Sequence, residues 1–381
     1  MKGYFRKRGK TWSFTLDIGK DAQSKRKQKT KGGFKTKKDA ERACNELINQ
    51  INRGEYFEPT QATLKEFLHE WLESSAKPSL RPGTLDTHQI VIGKHIIPEL
   101  GNIKLTNLTP VHIQKFYSNK LAADLSAEYV RYMHSILRNS LGQAVKWQMI
   151  SKNPAELVTP PKITGKEKTT WTIEEANQFL RYVAENDERF FISYLLAIHT
   201  GMRQGEILGL RWKDCDLDNN RLSVIQTLCR TSKGLIFQEP KTKGSKRVIA
   251  LTDEIVATLK KYKATQNRHK LLLGTAYEDH DLLVCTLEGK PIHPRNLQRH
   301  FHRMIQQAEV PKIRFHDLRH THASIMLQLG EHPKIVSERL GHSRTSITLD
   351  IYSHVIPNLQ AEAAKKFGDA MKGKDQRKSN E

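Results

Sequence analysis

Near the start of the chain, apolar and polar positions alternate one for one. Trp12, Phe14, Leu16 and Ile18 interleave with Thr11, Ser13, Thr15 and Asp17, the period of a strand with one buried face. Tyr4–Arg8 and Lys25–Lys31 read as flanking strands. From Thr36 the period lengthens to that of a helix. Thr36 caps it, Ala40, Ala43, Leu47 and Ile48 fall on its inner side, and it runs to about Asn52. Residues 63–155 read as helical throughout. Leu64, Phe67, Leu68, Trp71 and Leu72 recur at i, i+3, i+4, i+7 and i+8, and Val130, Met133, Ile136, Leu137, Leu141, Ala144 and Val145 behave similarly over a longer helix. Pro78, Pro82, Pro98, Gly101 and Pro110 punctuate these segments.

Residues Pro160–Thr170 hold two prolines and a glycine and lack apolar periodicity, so they read as a linker. Thr172 with Glu175 then has the spacing of a capping box, and Ala176, Phe179, Leu180 and Val183 form the inner face of the helix it opens. Residues 190–212 read as helical. Arg221–Gln226, Gly234–Gln238 and Arg247–Leu251 read as one small antiparallel sheet, and the remainder is mostly helical to about Phe367. The expected fold class is mainly α with small β-sheets. It divides into a small three-stranded sheet plus helix at 1–56, a helical domain at 63–155, a mixed α+β domain at 170–367, and a polar tail at 368–381.

A length of 381 residues suits two or three domains. Lys and Arg number 63 against 41 Asp and Glu, a net charge of +22, which asks for a polyanionic partner. The charge is uneven: positions 1–38 hold 14 Lys and Arg against only Asp17 and Asp21. Cys44, Cys215, Cys229 and Cys285 are widely spaced with no CxxC, so neither a zinc site nor a disulfide framework is indicated. The basic N-terminus has no apolar core of a signal peptide, and no apolar run approaches the ~18 residues of a membrane helix. A soluble, cytoplasmic protein without a membrane partner is expected.

The chemistry concentrates in the C-terminal half. Arg203 lies in TGMRQGEILGLRW, His316 and Arg319 in FHDLRHTHAS, His342 in ERLGHS and Tyr352 in LDIYSHV. Two arginines offer planar forks that match phosphate oxygens. Tyrosine is a usable nucleophile once a neighbour takes its proton, and histidine handles protons near neutral pH. Together they suit attack on a phosphodiester. Two other readings of these residues compete. Arg203 has Glu206 at i+3, the spacing of an ordinary helix ion pair, although Glu206 also suits orienting the arginine. His316, His320 and His322 are clustered, and the first two have the i, i+4 spacing of a zinc helix, but the glutamate of HExxH is absent.

These segments, in this order, resemble the tyrosine recombinase (phage integrase) family: T-G-x-R-x-x-E-[IL], a lysine on a β-hairpin, H-x-x-R, L-G-H, and a tyrosine about ten residues on. Glu206 stands three after Arg203, Arg319 three after His316, and Tyr352 ten after His342. The resemblance is sharp over roughly 170–360 and extends more loosely to the N-terminal 150 residues. It implies that Tyr352 forms a protein–DNA phosphotyrosine, that Arg203 and Arg319 clamp the phosphate, and that His316 and His342 share its protons. Tyr194 and Tyr277 lack such context.

The hairpin lysine is Lys241 in PKTKGSKRVIAL, or Lys243 if the register differs. Solvated hairpin tip describes most of Lys241, Lys243, Lys246 and Arg247. The resemblance further implies an arm-type DNA-binding domain at 1–56, a core-binding domain at 63–155 with Lys94, Lys104, Lys115, Arg131, Arg138 and Lys146 as candidate phosphate contacts, and a catalytic domain at 170–367. The expected partners are double-stranded DNA attachment sites, a homo-tetramer on DNA, and accessory DNA-bending and excision factors, with no cofactor and no metal. The implied activity is that of an integrase of a phage or integrative conjugative element, integrating and excising it. The alternatives are a type IB topoisomerase-like enzyme and a non-catalytic architectural DNA-binding protein.

Overall fold

The computed structural model describes residues 3–20, 26–52, 60–163, 169–240, 243–342, 345–346, 364–365, 367–369 and 371. Tyr352, Lys241 and the tail expected at 368–381, apart from residues 368, 369 and 371, lie outside the described residues. The chain divides into two compact units, 1–164 and 165–381.

The first unit opens with an antiparallel sheet, β1 (Gly3–Arg8), β2 (Thr11–Lys20) and β3 (Arg26–Phe34), in sequential order. The helix α1 (Lys37–Asn52) covers one face. Its start is set by Thr36, whose hydroxyl accepts from the Asp39 backbone amide at 3.1 Å. Phe14, Leu16, Ala40 and Cys44 are the buried centre, with Trp12, Ile18, Ala43, Leu47 and Ile48 packed partly around it. The period-2 alternation puts Ser13 and Thr15 on the opposite face. There Ser13 pairs with Arg6, and Thr15 shares a hydrogen bond of 2.9 Å with Thr30.

Helices follow: α2 (Leu64–Trp71), α3 (Lys77–Ser79), α4 (Pro82–Val91), α5 (Ile97–Leu100), α6 (Pro110–Ala122) and α7 (Ala127–Lys146). Their buried residues include Leu64, Phe67, Leu68, Trp71, Leu72, Val130, Met133, Ile136, Leu137, Leu141 and Ala144. The sequence reading is corrected at Pro78 and Pro98, which do not end their helices. A π-turn at Leu72–Ala76 joins α2 to α3, and another at Ile92–Ile96 joins α4 to α5. A proline clashes with the carbonyl four residues back and has no amide to bond it. Widening the turn just before each proline lets the chain continue as helix.

The second unit comprises α8 (Ile173–Asn186), α9 (Phe191–Thr200), α10 (Gln204–Leu208), β4 (Cys215–Asp216), β5 (Arg221–Val224), β6 (Thr227–Thr231), β7 (Gly234–Gln238), β8 (Arg247–Ala250), α11 (Asp253–Leu273), α12 (Pro294–Gln307), α13 (Asp317–Gln328) and α14 (Pro333–Leu340). Aromatic packing of Trp171, Phe179, Tyr194, Phe301 and Phe315 marks its core. Thr172 and Glu175 make the expected capping box. Two expectations are corrected. The single sheet is two: β4–β5–β8, and a separate β6–β7 hairpin. The chain leaves the first after Val224, where the Gln226 amide donates to Gly209 O at 2.8 Å. The helix expected over 190–212 is broken at Gly201, whose left-handed backbone (φ 63°) ends α9.

Candidate active site

Four of the six residues singled out from sequence come together in the second unit. Each is placed by the end of a helix. Arg203 stands at the N-cap of α10 in extended conformation, just past the Gly201 turn. His316 is the N-cap of α13, and Arg319 sits in that helix's first turn, which packs on α9. His342 follows α14 through a Schellman turn: His342 N–H donates to Ser337 O at 3.0 Å and Gly341 N–H to Glu338 O at 3.0 Å, with Gly341 at φ 70°. The glycines of TGMR and LGH thus have a physical reason. A Cβ on Gly201 would meet Leu340 Cδ2 at 2.5 Å, and one on Gly341 would meet Arg247 Cδ at 3.1 Å. Lys241 and Tyr352, the other two, lie outside the described residues; Lys243 begins a 3₁₀ turn, Lys243–Ser245.

Arg319 is 3% exposed. Its Nη1 donates to Gly201 O at 2.8 Å and its Nη2 to Leu340 O at 2.6 Å, so it fastens the ends of α9 and α14 together. Arg203 stays 38% exposed, with Nη1 on Glu206 Oε1 at 2.8 Å. Glu206 also accepts the Arg203 backbone N–H at 2.9 Å. The i+3 pair is therefore real, and it orients the arginine from both its backbone and its side chain. Burial alone would raise the Glu206 carboxyl, but Arg247 and Arg203 outweigh it and hold the pKa below the usual range.

Sequence reasoning misplaced Arg247, which is no solvated hairpin tip. Its side chain is 6% exposed and donates to both oxygens of Glu206, Nη2 to Oε2 at 2.9 Å and Nη1 to Oε1 at 3.3 Å. The signal was the period of two in β8, where Ile249 is buried and Val248 exposed, so Arg247 shares the inward face of Ile249.

Both histidines are held neutral. Burial lowers the His342 pKa to about 4, with the guanidinium groups of Arg319, Arg203 and Arg247 and the ring of His316 adding to the effect. His316 is open to solvent on one side. The protein crowding it lowers its pKa, and Arg319 adds to this. At neutral pH both rings accept or share protons rather than carry fixed charge. The clustered histidines do not converge as a ligand set. His316 and His320 pack edge to face. His322 donates from Nδ1 to Ile198 O at 2.8 Å and accepts at Nε2 from Arg339 Nε at 3.2 Å, which occupies both nitrogens. Among the described residues no group of three or more His, Cys, Asp or Glu is placed to hold a metal ion. Tyr194 is fully buried, its hydroxyl committed to His300 Nδ1 at 2.6 Å. Tyr277 packs beside Cys285 at 3.6 Å.

Family comparisons agree along the chain. The phage integrase family matches residues 170–358, the phage integrase N-terminal SAM-like domain 63–121, and an Arm DNA-binding domain 4–51. A tyrosine recombinase XerC-like protein of Caldanaerobacter subterraneus subsp. tengcongensis is 31% identical over 374 residues, covering 93% of this chain and 95% of its own. The ICEBs1 integrase of Bacillus subtilis is 24% identical over 78% of this chain and 81% of its own.

The fold is similar to that of Tn1549 transposon integrase in complex with transposon right end DNA, with TM-score 0.70 and 17% identity over 80% of this chain and 99% of that one. It is also similar to lambda integrase in a tetramer bound to a Holliday junction, with TM-score 0.57 and 18% identity over 92% and 94%. Fold and matches together define a site-specific DNA recombinase of the tyrosine type. The chain belongs to the phage integrase family. Among the described residues no helix is long and apolar enough to cross a membrane.

Proposed function

We propose that the chain is the integrase of a mobile element, a phage or integrative conjugative element, acting on double-stranded attachment sites through a 3′-phosphotyrosine. The observation that carries this reading is the convergence of Arg203 and Arg319 with two neutral histidines, His316 and His342, on one electropositive site. The guanidinium groups stabilise the extra negative charge of the pentacoordinate phosphorus. Tyr352 Oη attacks that phosphorus as its proton passes to a histidine. The P–O5′ bond breaks, and Lys241 gives the departing 5′-oxygen its proton. An incoming 5′-hydroxyl reverses these steps, so bond energy is conserved in the phosphotyrosine and no ATP or other cofactor is consumed.

Residues 1–56 are read as an arm-type domain, 63–155 as the core-binding domain and 170–367 as the catalytic domain. A homo-tetramer on DNA is supported by the assembly of lambda integrase on a Holliday junction. Accessory DNA-bending and excision factors, and a cytoplasmic, nucleoid-associated location, complete the reading.

The test is a nicked attachment-site duplex that loses its 5′ leaving strand on cleavage. Wild type accumulates a covalent protein–DNA complex. Tyr352→Phe keeps the ring but not the nucleophilic oxygen, so it binds the same duplex and forms none. Covalent complex at wild-type yield in that variant removes Tyr352 from the role.

A further inference from the structure

Arg247 lies in the hairpin segment PKTKGSKRVIAL with no role of its own assigned there, yet it touches the segments of both Arg203 and His342. It has five N–H donors, and four have partners in the protein. Nε donates to Arg339 O at 2.7 Å, Nη1 to Ser245 O at 3.2 Å and Glu206 Oε1 at 3.3 Å, and Nη2 to Glu206 Oε2 at 2.9 Å. Its aliphatic stem and Nη1 lie 3.1 Å from where a Gly341 Cβ would be, so the backbone before His342 rests flat on it. Gly244 O, in the turn after Lys241, borders the same point at 3.3 Å.

We propose that Arg247 is a positioning residue for the recombination reaction, one guanidinium that holds Arg203, the Gly341–His342 turn and the Lys243–Ser245 turn in mutual register. The proposal rests on the reading of Arg203 and His342 given above.

Three physical points support it. Arg203 with Glu206 alone is a neutral pair and a weak phosphate clamp. A second guanidinium on Glu206 restores a net positive charge to the group, leaving the exposed fork of Arg203 for the phosphate. Next, the last carbonyls of a helix have no partner within it. At the end of α14, Arg247 caps Arg339 O while Arg319 caps Leu340 O. The position of His342 is thereby tied to the arginines it must work beside. Finally, the geometry is that of a planar fork. An ammonium at this place has three donors on one atom and does not reach two carboxylate oxygens and two carbonyls on opposite sides.

The experiment uses full-length protein and a nicked duplex of its own attachment site. Single-turnover cleavage, DNA affinity and thermal midpoint are measured for wild type, Arg247→Lys and Arg247→Ala, with cleavage followed against pH. Arg247→Lys is expected to stay folded, bind within about threefold of wild type and cleave ~10²-fold more slowly, as for a misplaced reacting group. The acid limb of the Arg247→Ala profile should move to higher pH, because a positive charge has left the neighbourhood of His342, where Arg319, Arg203 and His316 remain. Methylguanidinium should restore part of the cleavage by Arg247→Ala.

Wild-type cleavage by Arg247→Lys overturns the proposal, and so does an unmoved acid limb in Arg247→Ala. Loss of affinity in step with cleavage makes Arg247 a DNA contact, and a failure of both variants to fold makes it a folding residue; either result overturns it. Absence of covalent complex with wild type instead sinks the underlying assignment of the chemistry.

Discussion

The two ends of this chain use the same side chains for opposite physical purposes. In the N-terminal sheet, Arg6 and Arg8 stand exposed on strands paired with Ser13 and Thr11, above a core of four buried residues. Charges of this kind lose little hydration, are screened by salt and attract DNA by releasing its counterions. In the second unit, Arg319 and the side chain of Arg247 are almost wholly buried and direct their donors to backbone carbonyls and to Glu206. Burying a guanidinium costs several kcal/mol unless such bonds offset it. The result is a fixed positive field, little screened by solvent, around Glu206 and the end of α14. The difference teaches that a basic chain is not basic for one reason: some of its arginines face solvent, and others are built into the second unit as fixed hydrogen-bond donors.

Four substitutions or conditions sharpen the contrast. The largest effect belongs to the leaving group. Lys241→Ala should slow cleavage by ~10²–10⁴, the usual worth of a general acid, and a 5′-bridging phosphorothiolate, whose sulfur leaves without a proton, should restore it. Rescue of Lys243→Ala instead would move the acid two residues along. Arg319→Ala should cost ~10²–10³ in cleavage. It should also lower the thermal midpoint, since Gly201 O and Leu340 O are orphaned at ~1–3 kcal/mol each. An unchanged midpoint by calorimetry would show that those bonds are not structural.

The third effect is a loss of stability in acid. His322 and His342 have folded pKa values lowered to about 3 and about 4. As pH falls below ~6.5 the unfolded chain takes up protons that the folded one refuses. Stability should be full above ~6.5, decline towards pH 4 and level off below about 3, a loss on the order of a few kcal/mol. A flat melting midpoint from pH 7 to 4 would contradict the burial of both rings. The smallest effect is at the other end. Arg6→Gln with Arg8→Gln should leave cleavage of core-site duplexes and the melting midpoint unchanged. It should flatten the salt dependence of binding to flanking sites by ~0.9 for each phosphate no longer neutralised. An unaltered slope would remove these arginines from the DNA backbone.

Most of the local architecture is legible in the order of the residues alone. The alternation around Phe14 and Leu16, the helical period from Leu64, the cap at Thr36 and the box at Thr172 are all properties of neighbouring residues, and each element formed where its period ran. The order of the short segments around Arg203, His316, Arg319, His342 and Tyr352 sufficed to identify the family. Where neighbouring residues compete with distant ones, the local reading went astray. Pro78 and Pro98 read as breaks because a proline is locally incompatible with an α-turn, and only the widened turns before them show how the helices continue. One sheet became two because β6 pairs with β7 across a tight turn while β5 pairs with β8, some two dozen residues on.

Periodicity and capping residues thus determined most of the segments that are helix or strand, because those depend on interactions within a turn or a strand. Only the tertiary structure decided what each charge does. Arg247 and Arg8 are the same residue on the same kind of strand. One lies against the buried Glu206, forty-one positions away in sequence, and the other faces water. The energy of a charge is set by its surroundings, and those are made by parts of the chain that no local pattern connects.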